Sequence, residues 1–344
     1  TEPGFEKVIT MNSRQLVYET LEFNAPKRVP RDLWLLPWAT NNHAQKVKHI
    51  QEKYPGDFGG PPVRYAKPIQ TVGDPYIIGT YTDEWGSTFD NIQAGVIGEV
   101  RTPQVKSWDD WDKVQPPTAM LDFDIDAVNA FCRESDQFVF GGCCPRPFER
   151  MQFLRGSQNL YIDLADPPGE FFELLDRVHQ HYLKEMEIWA TTEVDALNFM
   201  DDWGSQKSLL INPKQWRKIF KPLYKEYIDI AHQAGKKIFM HSDGYIFDVY
   251  ADLIELGLDA VNSQLFIMDI EEIGRRFGGK LTFWGEIDRQ HLLPYGTTDQ
   301  IAQAVRRVKE ALYHDGGVIA QCEFGPGARP DNVEMVFQAW EAVL

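Results

Sequence analysis

The chain has 344 residues, of which 43% are hydrophobic and 13% aromatic, enough apolar surface for a large core and unlike a disordered composition. Its 51 acidic residues against 35 basic ones give a formal charge of -16, which repels a phosphate backbone, and no basic run or aromatic-basic platform for nucleic acid is present. Four cysteines (Cys132, Cys143, Cys144, Cys322) are too few for a disulfide scaffold and fit a reducing cytoplasm; no segment has the length of a membrane span, and Thr1 to Thr20 carries charges in place of an apolar signal stretch.

In chain order, strands are expected at Asp32 to Leu36 and at Phe138 to Gly141, with a Pro-, Gly- and Trp-rich stretch between them. Within it, Tyr54 to Pro117 reads as elaborations over one end of the fold. A long helix follows over Pro168 to Thr191, with Phe172, Leu175, Val178, Tyr182, Met186 and Trp189 on one stripe. The second half alternates short β-rich runs with amphipathic helices. The runs are Ala196 to Met200, Lys237 to His241, Asp259 to Ser263, Leu281 to Gly285 and Gly317 to Cys322. Asn212 caps a helix that has Pro213 in its first position and runs to Gly235; Thr297 or Thr298 caps another, and a third starts at Asp331. This alternation predicts parallel strands joined by crossover helices. The expected architecture is an α/β fold, a single (β/α)8 barrel over residues 1-344 with N-terminal elaborations at its mouth. Seven strands are visible, and the eighth is expected between Tyr76 and Val100.

In such a barrel the chemistry collects at the carboxyl ends of the strands. Those ends carry Trp34 and Trp38; Asp201, Asp202 and Trp203; His241 and Asp243; Gln264; Glu286 and Asp288; and Cys322. Imidazole, carboxylate and thiolate all bind zinc, so His241, Asp243 and Cys322 form a candidate three-ligand set, with Glu286 as a fourth. Each also has an ordinary structural role open to it: a hydrogen-bonded rim histidine, a turn aspartate before Gly244, a small buried thiol, and a salt bridge from Glu286 to Arg289. Asp202, Glu149 and Asp288 are candidates for orienting substrate or moving protons, against loop capping for the aspartates and a structural pair of Glu149 with Arg150. Trp34, Trp38, Trp203, Trp284 and Phe324, with Gln264, are candidate substrate contacts, although large aromatics also fill barrel cores.

The stretches RVPRDLWLLPWA, RPFERMQFLRG, MHSDGYIFDVYADLIELGLDAV, GEIDRQHLLPYGT and GGVIAQCEFGPGARPDN resemble the uroporphyrinogen decarboxylase-like superfamily over nearly the whole chain. The resemblance implies a (β/α)8 barrel and one of two activities. True decarboxylases of the superfamily carry an arginine-rich segment after the first strand; here Trp34-Leu35-Leu36-Pro37-Trp38-Ala39 stands there, and no arginine occurs between Asp32 and Arg64. The zinc-dependent methyltransferase branch has a His-x-Cys motif and a later Cys. His241 and Cys322 match its first and third positions, and Asp243 replaces the middle cysteine. Exchanging thiolate for carboxylate makes the ion a harder Lewis acid, better suited to an ether oxygen than to a thiol. The expectation is therefore a zinc-dependent O-demethylating methyltransferase, cytoplasmic, acting on a small methoxylated and aromatic substrate. It would pass the methyl group to the cobalamin of a partner corrinoid protein. Methyl transfer to a thiol such as coenzyme M is the alternative, followed by decarboxylation or a metal-free binding role.

Overall fold

The computed structural model describes residues 11–343. The reading of Thr1 to Thr20 as free of a signal stretch falls partly on residues 1–10, outside those described.

Eleven strands are present among the described residues: β1 (Arg31–Leu35), β2 (Phe58–Gly59), β3 (Gly79–Thr82), β4 (Thr88–Asn91), β5 (Glu99–Thr102), β6 (Phe138–Val139), β7 (Ala196–Met200), β8 (Lys237–Ser242), β9 (Ala260–Ser263), β10 (Thr282–Trp284) and β11 (Val318–Phe324). Six form one curled parallel sheet in the order β1-β11-β10-β9-β8-β7. β2 and β6 form a short parallel pair, Phe58 beside Phe138. On one side of this pair the Asp57 N–H donates to the Arg31 carbonyl at 2.9 Å; on the other a parallel bridge joins Phe140 to Ala196. The five strands expected in the second half are all present within two residues. The region between Tyr76 and Val100 holds no parallel strand. Its β3, β4 and β5 make a separate antiparallel sheet, whereas β2 falls inside the stretch read as elaboration. A two-residue strand has no visible period, so its sequence carries no signal.

Alternation along the strands sorts the side chains into two layers. Phe58, Phe138, Phe140, Ala196, Phe239, Ala260, Trp284, Ile319 and Trp34 pack together on the concave side, joined by Val17 and Leu21 of the helix Ser13–Leu21. Their neighbours Val139, Leu197, Met240, Val261, Phe283, Val318 and Ala320 face the surrounding helices in a second cluster. The helix Ser13–Leu21 lies across the amino ends of the strands, with the Arg14 N–H bonded to the Asp136 carbonyl and the Gly317 N–H to the Thr20 carbonyl. That closes one end of the curled sheet and leaves the carboxyl ends to the loops.

The expected caps are present. The Asn212 side chain accepts from the Lys214 N–H, and Thr297 forms a reciprocal pair with Gln300, each such cap contributing about 1 kcal/mol. The helix after Asn212 is broken into Pro213–Ile219 and Lys221–Gln233, because Pro222 has no N–H to continue the ladder and crowds the preceding turn. On the long helix Gly169–Ala190, Phe171 is the buried member of the stripe, while Phe172 points outward and is exposed.

Candidate active site

The loops after β7 and β8 meet face to face. Gly204 and Gly244 are pressed backbone to backbone: a Cβ on Gly204 would lie 2.1 Å from the Tyr245 nitrogen, and one on Gly244 2.0 Å from the Gly204 oxygen. Gly244 also has φ +81, which disfavours a side chain. This approach is stitched by the Gly204 N–H to the Asp243 carbonyl at 3.0 Å and the Trp203 N–H to Ser242 Oγ at 3.1 Å. Its outcome is that Asp202, from the end of β7, and Asp243, from the end of β8, converge on His241. His241 Nε2 lies 3.5 Å from Asp202 Oδ1 and 3.6 Å from Asp243 Oδ1, and the Asp243 N–H donates to Asp202 Oδ1 at 2.8 Å.

These donor atoms fit a small divalent ion. Around zinc, nitrogen and oxygen ligands sit about 2.0–2.1 Å out, so tetrahedral neighbours are about 3.3–3.5 Å apart. Asp202, His241 and Asp243 offer one ligand atom each, all within 4.8 Å of one another, and they are the one such group among the described residues. Burial opposes charge on His241, but Asp202, Asp243 and Asn262 outweigh it and raise the imidazole to about 9. Asp202 loses by burial and gains more from His241, so its carboxyl sits below the usual range.

The other expected ligands are placed differently. Cys322 shares the parity of Val318, Ala320 and Phe324 and is fully buried in the helix-facing cluster, while Gln321 and Glu323 take the concave side. Of the expected set, His241 and Asp243 lie in this group with Asp202, and Cys322 sits on the alternate face of its strand. Burial, then Glu286 and Glu323, push the Cys322 thiol well up. Glu286 also stays out of the group. It is buried, its carboxyl is raised to about 8 by burial, and Arg289 Nε lies 3.7 Å away. Arg289 further bonds Glu323 at 2.8 Å and makes a close ion pair with Asp243.

Glu149 faces this group from the helix Pro147–Arg155, whose first N–H groups, on Phe148 and Glu149, are capped by Asp201 at 3.1 and 2.8 Å. Its Oε2 is buried without a hydrogen-bond partner, and burial together with the Asp202 charge raises its carboxyl to about 7. Asp288 accepts the Gln290 and His291 N–H groups at 2.9 Å and so folds the loop after β10.

Among the aromatics, Trp34 reaches His241, with ring centroids 5.4 Å apart, and Trp34 meets Trp284 edge to face at 5.1 Å. Both indoles donate to Asp32 Oδ2 at 2.8 Å; burial raises that carboxyl to about 6. Trp38 is half-buried at the start of the next helix, edge-on to His43. Trp203 and Phe324 have no exposed surface: Trp203 stacks on Phe148 at 4.0 Å and donates to Tyr224, and Phe324 stacks on His43. Gln264 accepts the Gly244 N–H at 3.1 Å, supporting the loop that carries Asp243. Trp203 and Phe324 pack in the core, and Gln264 supports the loop through its oxygen.

Two residues of the site were missed from the sequence. Asn262, next to His241 in the β8–β9 register, accepts from His241 Nδ1 at 2.6 Å. Asp32 sits beneath the indoles. A polar residue inside an apolar strand run, as in Ala260-Val261-Asn262-Ser263, is the signal that marks Asn262.

The family model for uroporphyrinogen decarboxylase (URO-D) matches residues 79–343. A methyltransferase from Methanosarcina mazei superposes with a TM-score of 0.64 at 13% identity, covering 96% of this chain and 99% of its own. At that identity the likeness shows the fold. An endo-beta-1,4-xylanase from Gloeophyllum trabeum is a looser match, with a TM-score of 0.45, 13% identity, and 94% and 99% coverage. No curated protein sequence matches the chain.

Proposed function

Because the chain belongs to the uroporphyrinogen decarboxylase (URO-D) family, we propose that Asp202, His241 and Asp243 hold a zinc ion with which the protein demethylates a methoxylated, aromatic substrate, passing the methyl group to a corrinoid protein. The observation that carries this reading is the donor set: one imidazole and two carboxylates, with no thiolate among them. When bound, the ion supplies Lewis acidity, drawing charge from the ether oxygen as the C–O bond breaks. The C–O electron pair stays on the substrate oxygen, and the methyl acceptor, a reduced corrinoid carried by a partner protein, provides both electrons of the new bond.

The chain's own residues supply position and surroundings. Trp34, backed by the buried Trp284, walls the side of the cluster nearest the concave core and is the ring offered to an aromatic substrate. Arg289 lies among Asp243, Glu286 and Glu323 and orders these side chains beside the site. Glu149, with its unpartnered oxygen, is the polar group aimed at whatever the cluster holds. β1, β2, β6 and β7 to β11 are, in this proposal, the eight positions of a closed barrel, a single domain of a cytoplasmic enzyme. No helix among the described residues is long and apolar enough to cross a membrane.

The donor set disfavours methyl transfer to a thiol, which is best served by a thiolate-rich ion. Decarboxylation of a polyanionic substrate needs free guanidinium groups at the mouth. Near the cluster Arg289 is committed to Asp243 and Glu323 and Arg150 to Asp83 and Glu84, which leaves Arg146 alone to meet such a substrate. The test is to incubate the zinc-loaded protein with a reduced corrinoid protein and a panel of methoxyarenes, following methyl–cobalt formation by absorbance. Stoichiometric zinc and transfer from at least one ether are expected. Thiol methylation without ether cleavage, or a protein that takes up no zinc, overturns the proposal.

A further inference from the structure

We infer that Asn262 is a positioning residue that fixes the His241 ring with Nε2, and not Nδ1, presented to Asp202 and Asp243. β8 and β9 are parallel and place His241 directly beside Asn262, both on the concave side of the sheet. Asn262 is 1% exposed, so each end of its amide must find a partner inside the protein. Its NH2 group donates to the Trp284 backbone carbonyl on β10, and its Oδ1 faces His241 Nδ1 at 2.6 Å. Turning the amide over would set Oδ1 against the Trp284 carbonyl and NH2 against the ring, leaving a buried acceptor unpaired. The orientation is therefore fixed by a strand on the far side of Asn262 from the histidine.

An acceptor opposite Nδ1 requires a proton on Nδ1. Nε2 is then the nitrogen left to face Asp202 at 3.5 Å and Asp243 at 3.6 Å, the two carboxylates that meet there. Trp34, tilted at 55° against the imidazole, limits rotation of the ring out of this plane, and its indole is itself held by Asp32 together with that of Trp284. The chain from Asp32 through Trp284 to Asn262 and His241 thus spans β1, β10, β9 and β8. Hydrogen bonds of this kind behind a metal-binding histidine set which nitrogen binds and how basic it is. The consequence for a bound ion rests on the zinc reading above; the orientation of the ring does not.

The test combines long-range 1H–15N spectra of the histidine ring in the full chain with zinc affinity measured by competition against a chelating dye. In the zinc-free protein, His241 is expected to show a protonated Nδ1 whose proton exchanges slowly. Adding zinc should shift Nε2 and leave that proton in place. In Asn262→Ala the Nδ1 proton loses its protection and zinc binding weakens about 10- to 100-fold. An unsubstituted protein with a bare Nδ1 or zinc on Nδ1 overturns the inference, as does Asn262→Ala with an unchanged ring spectrum. If the protein takes up no zinc but the Nδ1 proton is protected and is lost in Asn262→Ala, the positioning role stands and the zinc reading fails.

Discussion

The ends of β7 and β8 and the ends of β10 and β11 both gather carboxylates at one rim, and they contain the repulsion in different ways. On the β10–β11 side Arg289 is placed among Glu286, Glu323 and Asp243, so a permanent cation supplies the balance. On the β7–β8 side the balancing charge for Asp202 and Asp243 is a proton on His241, supported by Arg289 from one flank. A proton on a nitrogen can be replaced by a metal ion; a guanidinium fixed by three carboxylates cannot. The same acidic chemistry is therefore structural on one side and open to ligand on the other.

The sharpest way to break this comparison is to remove one member of each side. His241→Ala should weaken zinc by more than the ~100-fold reached by groups that act from behind a ligand, and should abolish methyl transfer. Cys322→Ala should leave zinc content intact and cost about 1–2 kcal/mol of stability as a small cavity, read from chemical denaturation. A Cys322→Ala protein that loses zinc would put the thiol back in the site.

Arg289→Met tests the other side. It leaves Glu286, Glu323 and Asp243 facing one another, and a loss of about 3–5 kcal/mol is expected in urea denaturation, part of it recovered when zinc is present. An unchanged midpoint would mean that solvent already screens these acids. Gly204→Ala probes the approach of the two loops. With 2.1 Å between its Cβ and the Tyr245 nitrogen, the backbone must move apart, and zinc affinity should drop at least about 10-fold.

A pH-dependent effect lies beside the rim. Glu185, on the long helix, is buried, and that burial with the Glu84 charge raises its carboxyl to about 8. Between pH 4.5 and 8 the folded protein holds a proton that the unfolded chain has released, so stability is greatest below this window, falls across it and is flat above. The loss is at most about 5 kcal/mol. Glu185→Gln should flatten that slope, giving equal urea midpoints at pH 5 and pH 8.5 once the shared background is subtracted; an unaltered slope would assign the pH dependence to other groups.

The alternation of β-rich runs and helices, the caps at Asn212 and Thr297, and the crowding of acids, His241 and tryptophans at strand ends are all legible in the amino-acid order. They depend on local periodicity, on backbone groups a few residues away, and on where each run stops. The first half was less legible. β2 is too short to show a period, and the apparent strands from Tyr76 to Val100 pair with one another, a choice made by long-range hydrogen bonding. Which acid joins His241 was decided only in three dimensions. Asp202 lies 39 positions before His241 and reaches it because Gly204 and Gly244 permit backbone contact, whereas Cys322 lies on the alternate face of its strand. Sequence determined the kinds of groups at the rim; the register of parallel strands and the closeness of two glycine loops decided which of their atoms meet, because a one-residue step turns a side chain to the opposite face.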